Sequence, residues 1–263
     1  CGLEHMTREP WQLDKPSSAF QRLGPSFLDT RNSPDSFGNP RMGITAENVA
    51  RKFGITRHEM DEFALKSHNK AEIATSNGRF DKQILPLEVN YKKETVMVSK
   101  DESIRYGQTI EALQKLRPAF VADKGVVTAG NACPWSDGAA ALVITSENKA
   151  KREGLEILGY IRSFAVAGVD PQYMGIGPVY AVPKALKRAG LSLDDIDWIE
   201  LNEAFAAQAI PCIRELNLPL EKVNPYGGAI ALGHPLGATG AILTTKALYA
   251  LKENNLHYAL ITM

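Results

Sequence analysis

From about residue 155 to the end of the chain, short apolar runs alternate with helix-length amphipathic stretches, and this alternation leaves few architectures open. Residue type and punctuation predict a strand over 158–166, a helix over about 179–189 closed by Gly190, and a strand over 197–201. A helix over 204–216, a glycine-dense loop, a helix over about 238–252 and a final strand, "YALITM", complete the order. Strands separated by helices of this length bury their apolar faces as a layered sheet covered by helices, so the fold class is α/β. No repeat of solenoid period competes with that reading.

Upstream the pattern is looser. Residues 1 to about 42 are rich in Pro, Ser, Asn, Asp and Gly and read as irregular surface structure. Two helices are expected next. One covers "TAENVARKF" and ends at Gly54; the other opens at "TRHE", where Thr56 and Glu59 have capping-box spacing, and stops at Asn77-Gly78. Met60, Phe63, Ala64, Ala71 and Ala74 give the second an apolar face of helical period. "ILPLEV" (84–89) reads as a short edge strand because Pro86 has no N–H for a ladder. A polar connection with one short helix follows, and "GVVTAGNACPWSDGAAALVITS" reads as two β-like runs around a turn.

Charge removes some classes of function. The 30 Lys and Arg balance the 30 Asp and Glu, so no overall field draws the chain to nucleic acid or to a membrane surface. No apolar run approaches the roughly 18 residues of a membrane span, and "CGLEHMTREP" has no apolar core of a secretory signal. Cys1, Cys133 and Cys212 are too widely spaced for a disulfide framework or a metal-binding pair, which fits a reducing, cytoplasmic setting without a metal. Both ends, one just before a short polar run and one inside a strand at Met263, read as cuts in a longer protein.

"NPYGGAIALGHPLGATG" (224–240) sets one histidine in the most glycine-dense stretch. Pro235 pushes His234 out of helical geometry, and the glycines at 227, 228, 233, 237 and 240 allow close backbone approach. A phosphate-binding loop fails because His234-Pro235 stands where Lys-Ser/Thr is needed. A dinucleotide fingerprint fails on glycine spacing and on the missing acidic residue about 20 residues on. The remaining expectation is a histidine at a strand-to-helix turn, kept neutral by the helix N-terminus beyond it and so fit to act as a base or hydrogen-bond donor. A structural histidine bonded to a backbone carbonyl is the alternative. Asn202, directly after "WIEL", is placed either to cap the following helix or to meet a ligand at the carboxyl end of a strand. It is expected at a position equivalent to that of His234 in successive strand–turn–helix units, and the two converging would form an oxyanion site. Cys133 has no base beside it and Cys212 reads as core, whereas Arg105 in "SIRYG" is free either to meet a phosphate or to stay solvated.

Together, "NPYGGAIALGHPLGATG", "NEAFAAQ", "TAGNACPWSDGAAA" and "MGITAENVA" resemble the thiolase family of acyl-CoA C-acyltransferases, with "VDPQYMGIGP" and "KLRPAF" in support. The resemblance implies a layered α-β-α-β-α fold with an inserted loop domain. A loop domain over 1–135 for CoA binding and oligomerisation, the last strand region of the N-terminal domain over 136–150, and an incomplete C-terminal domain over 151–263 follow from it. It also implies CoA-dependent cleavage of 3-ketoacyl-CoA through a cysteine acyl-enzyme, with coenzyme A as substrate and no permanently bound cofactor or metal. His234 would be the activating base and one oxyanion donor; Asn202 would hold the water that supplies the other; Gly233 and Pro235 would shape the turn. Arg105 would lie by the adenine and phosphate end, Phe120 and Ala129 along the pantetheine, and Met42, Met174 and Phe205 around the acyl pocket, with Ala204 in the same substrate-binding set. Departures stand at Ala112 and Cys133, where the family often has serines, and at Arg41, where a histidine is common. By the resemblance, the nucleophilic cysteine and the second cysteine lie outside this chain, and the assembly is a homodimer or homotetramer. A non-catalytic CoA-binding or assembly subunit and an acetoacetyl-CoA-forming thiolase are the alternative readings.

Overall fold

The computed structural model describes residues 1–8, 40–91 and 94–263. Most of the stretch read as irregular before residue 42 therefore lies outside the described residues. Its first part departs from that reading: β1 (Gly2–His5) pairs antiparallel with β4 (Asp137–Ala140), joining Gly2 to Ala140 and His5 to Asp137.

The helices follow their local signals. α1 (Met42–Phe53) ends at Gly54, whose φ of 64° is a left-handed stop. It starts three residues before the expected Thr45, because the Ile44 and Thr45 N–H groups donate to the Arg41 carbonyl. α2 (Arg57–Ser76) opens with the Thr56–Glu59 capping box and ends at Asn77. Pro86 delays the strand expected over 84–89 to β2 (Leu87–Tyr91), and the "polar connection" supplies its partner β3 (Glu94–Val98) in an antiparallel hairpin. α3 (Ile110–Gln114) is the expected short helix, and α4 (Glu147–Arg152) follows β4.

Two of the expected β runs are absent among the described residues. Near 126–131 the backbone is held by side chains and by one antiparallel bridge, Thr128 to Pro118, rather than by a ladder. Val126 and Val127 N–H donate to Glu47, and Thr128 N–H donates to Asn131 Oδ1, whose own amide donates to Asp61. Over 158–166 the chain forms no strand; the Phe164 carbonyl accepts from Arg188 and Ser163 donates to the Ala185 carbonyl. Ile161, Phe164 and Val166 are left exposed there.

The C-terminal half keeps the expected order. α5 (Gly177–Ala189), stopped at Gly190, leads to β5 (Trp198–Leu201) and α6 (Ala206–Glu215). A short α7 (Ala229–Leu232), α8 (Leu236–Asn254) and β6 (Ala259–Thr262) complete it, with β6 parallel to β5. Residues 206–213 of α6 are all buried, because α6 lies between two cores. On one side are Ala46, Met60, Ala64, Leu113 and Ile230; on the other are Val182, Ile199, Leu201, Val223 and Leu260. A helix apolar all round is stable only when enclosed in this way. It fixes the end of β5, and with it the candidate site, between the two cores.

Candidate active site

Asn202 follows β5 directly, is 4% exposed, and has its N–H bonded to the Thr262 carbonyl of β6 at 2.9 Å. It does not cap α6. That helix starts four residues later: Phe205 is its N-cap, the Ala206 N–H donates to the Asn131 carbonyl, and the Phe205 N–H donates to Gln208 Oε1. The Asn202 side chain instead places Nδ2 3.3 Å from Nε2 of His234, while its buried Oδ1 has no hydrogen-bond partner among the described residues.

The element before His234 is α7, not a strand, so the two residues do not occupy equivalent strand–turn–helix positions. Gly233 makes the turn with φ 96° and ψ 163°, and a Cβ there would lie 2.7 Å from Ser136 Oγ. That position needs glycine for both reasons. The same Ser136 hydroxyl accepts the His234 N–H at 3.0 Å and donates to the Pro134 carbonyl at 2.8 Å. Pro235, buried, is the N-cap residue of α8.

The hydrogen bonds assign the imidazole tautomer. Thr239 Oγ1 lies 2.9 Å from the Pro235 carbonyl and 2.7 Å from His234 Nδ1. With its one proton donated to the carbonyl, Thr239 accepts from Nδ1–H. Nε2 is then the unprotonated nitrogen and accepts from the Asn202 amide. Burial holds the His234 pKa below the usual histidine value, with the charge of Glu4 acting in the opposite sense. The lowered pKa favours the neutral ring, and burial rather than the helix N-terminus is its main cause.

A second group of the expected residues also meets. The Phe120 and Phe205 rings pack edge to face with centroids 6.1 Å apart, and the Phe120 ring covers Gly43, next to Met42. Ala204 accepts from the Cys133 N–H at 2.9 Å, and Ala132 bridges to Phe205, tying the 130–133 segment to the head of α6. Arg105, Ala129 and Met174 are exposed on three separate segments. The Arg105 backbone is anchored by its N–H to Nδ1 of buried His68 at 3.2 Å. Burial pushes the Cys133 thiol up to about 11 and the Cys212 thiol up to about 12, so neither is a thiolate at neutral pH.

The sequence reading did not single out Ser136, Thr239, Glu203 or Asn224. Thr239 had a usable signal, since it lies one helical turn past Pro235. Ser136 lies 98 residues from its partner and had none. No group of three His, Cys, Asp or Glu among the described residues is arranged to hold a metal ion.

Fold and pair together define an α/β protein with a histidine–asparagine pair at the carboxyl end of a parallel strand, where such sheets take their ligands. The model of the thiolase N-terminal domain matches residues 1–148, and that of the thiolase C-terminal domain matches residues 155–263. The peroxisomal 3-ketoacyl-CoA thiolase B of Rattus norvegicus is 47% identical over 269 residues, spanning 100% of this chain and 61% of the relative. A probable acetyl-CoA acyltransferase of Staphylococcus aureus is 47% identical over 256 residues, spanning 96% of this chain and 65% of the relative. The crystal structure of the Bacillus anthracis acetyl-CoA acetyltransferase superposes with a TM-score of 0.92 at 42% identity, covering 98% of this chain and 66% of that one. That of human mitochondrial 3-ketoacyl-CoA thiolase in complex with CoA gives 0.89 at 40% identity, covering 99% and 65%. The chain belongs to the thiolase family. It spans about three fifths of the length of the peroxisomal relatives it matches.

Proposed function

We propose that the protein containing this chain cleaves 3-ketoacyl-CoA with coenzyme A, giving acyl-CoA and acetyl-CoA. The observation that carries the reading is the Asn202–His234 contact at 3.3 Å, with Thr239 fixing the tautomer. Nε2 of His234 takes the proton of an attacking cysteine thiol, which on this reading comes from outside these 263 residues. The imidazolium N–H so formed is a donor to the thioester oxygen as it becomes an oxyanion. Asn202 Oδ1, buried without a partner among the described residues, is an acceptor that can hold a water, and that water supplies the second donor. Preorganised donors of this kind are each worth about 3 kcal/mol in the transition state. This chemistry requires neither a metal nor a nicotinamide.

On the same reading Arg105 meets the phosphate end of CoA, Ala129 and Phe120 the pantetheine, and Met42, Met174, Ala204 and Phe205 the acyl side. Residues 1–135 then serve as the loop domain, 136–150 as the last strand region of the N-terminal domain, and 151–263 as part of the C-terminal domain. An assembly of two or four copies belongs to this reading too. The β2–β3 hairpin, with Leu87 and Met97 exposed, is apolar surface that such an assembly would cover. The test is His234→Ala in the intact protein. We expect thiolysis of a short 3-ketoacyl-CoA to fall about 10²- to 10⁴-fold with CoA binding retained. Unchanged turnover would overturn the assignment, and CoA binding without turnover in the unaltered protein would favour a CoA-binding subunit.

A further inference from the structure

Directly after Asn202 comes a carboxylate that the proposed chemistry does not use. Glu203 is 2% exposed, and no basic side chain forms an ion pair with it among the described residues; the nearby Lys246 pairs with Glu200 at 2.9 Å instead. Burial raises the Glu203 pKa, and three donors, with the charge of Lys246, act in the opposite sense. Ser67 Oγ of α2 donates to Oε2 at 2.6 Å, the Ile230 N–H of α7 donates to the same oxygen at 3.3 Å, and Asn224 Nδ2 donates to Oε1 at 2.7 Å.

Each donor also holds a segment of the site. Asn224, with a positive φ of 43°, pairs its side-chain amide with both backbone groups of Leu201, the residue before Asn202. Ser67 accepts the Gly228 N–H at 3.0 Å, at the start of the α7 turn that leads to Gly233 and His234. Gly228 is glycine because a Cβ at that position would fall within the Glu203 carboxyl group itself. One side chain therefore connects the end of β5, the body of α2 and the turn before His234.

We propose that Glu203 is a positioning residue that sets Asn202 and His234 at their working separation. It touches neither the imidazole nor a reacting atom; it acts through the two backbones it joins. The inference rests on the reading of that pair as catalytic. A glutamine at 203 keeps the shape, but in either amide orientation it sets an NH₂ against a donor, Asn224 Nδ2 on one side or the Ile230 N–H on the other. The two segments then separate by a fraction of an ångström, and misplacement on the ångström scale costs about 10²-fold in rate.

The experiment is Glu203→Gln in the intact protein, measuring kcat, KM for CoA, and the ¹⁵N resonances of His234 in histidine-labelled protein. The expected result is a kcat lower by about 10- to 100-fold, a KM for CoA within about two-fold of the original, and a displaced Nε2 resonance as the Asn202 contact is lost. A kcat within about two-fold of the original with unmoved His234 resonances overturns the proposal. Ser67→Ala provides a second reading if the glutamine variant does not fold: it keeps the carboxylate, removes one donor and frees Gly228. It should lower kcat by a smaller factor and move the same resonance, and no change in either overturns the proposal. His234→Ala run alongside separates the two inferences. If it leaves thiolysis intact, the catalytic reading fails, while the Nε2 resonance still reports whether Glu203 sets the pair.

Discussion

Replacing Thr239 with valine removes one oxygen at nearly constant volume, and its effect can be worked out from the contacts. Thr239 Oγ1 is the acceptor for His234 Nδ1–H at 2.7 Å. The Pro235 carbonyl keeps the Ala238 and Thr239 N–H groups at 2.8 and 2.9 Å, so the first turn of α8 retains its bonds. The loss therefore falls on the imidazole. Leaving a buried N–H without an acceptor costs about 1–3 kcal/mol. The ring avoids that cost by moving its proton to Nε2 while the Asn202 amide turns its unpartnered Oδ1 to accept it, and Nε2 is the nitrogen that must be free to act as a base. At 1.36 kcal/mol per factor of ten, the base-competent tautomer falls by about 5- to 150-fold, and kcat for thiolysis should fall with it. The assay pairs kcat with the ¹⁵N shifts of His234, which distinguish Nδ1–H from Nε2–H. Thr239→Ser should restore both. If Thr239→Val keeps its kcat and a protonated Nδ1, the tautomer argument is wrong.

Other consequences can be measured with less apparatus. Burial lowers the His68 pKa to about 4 from an ordinary 6.5, so the unfolded chain binds a proton that the folded one refuses. Stability should be full above about pH 6.5 and fall by on the order of 3 kcal/mol as pH drops toward 4, and a urea midpoint that is flat across that window would count against it. The acid limb of kcat/KM for thiolysis should lie below the usual histidine range, because the folded protein keeps His234 neutral to lower pH; a limb above 7 would contradict the site as described. Gly228→Ala should cost about 2 kcal/mol or more in urea unfolding, since its Cβ falls within the Glu203 carboxyl, and a loss under about 0.5 kcal/mol would show that the segment yields. Peptide mapping after thiol labelling at pH 8 should find half-buried Cys133 and buried Cys212 unmodified in the native protein, and their prompt labelling would refute thiols held protonated at that pH.

What could be read from the sequence was whatever a few neighbouring residues decide. The Thr56–Glu59 box and the left-handed glycines at 54 and 190 are local devices, and the helices they bound fall where expected. His234 and Asn202 were legible as candidates because a His-Pro pair among glycines and an asparagine at a strand end are uncommon choices of residue. What each side chain would do depended on partners far along the chain. Asn202 looked like a helix cap because sequence places it just before a helix, but the cap position falls on Phe205 and the amide is drawn to a ring 32 residues away. The run over 158–166 has the composition of a strand, yet a strand also needs a neighbour, and composition does not say whether one lies alongside.

The same distinction explains why Glu203 was passed over. A single acidic residue in "LNEAFAAQ" looks like a surface charge interrupting an apolar run, since free carboxylates are seldom fully buried. Its burial makes sense only once Ser67, Asn224 and Ile230, which lie 136, 21 and 27 residues away, are seen to converge on it. A carboxylate enclosed by three donors has little freedom to move, because each displacement leaves a donor or an oxygen unpaired. That is a sound way to hold two loops in register across a gap of a few ångströms. It also makes the arrangement intolerant: shortening the side chain, neutralising it or adding a methyl at Gly228 should each disturb the Asn202–His234 contact from a distance.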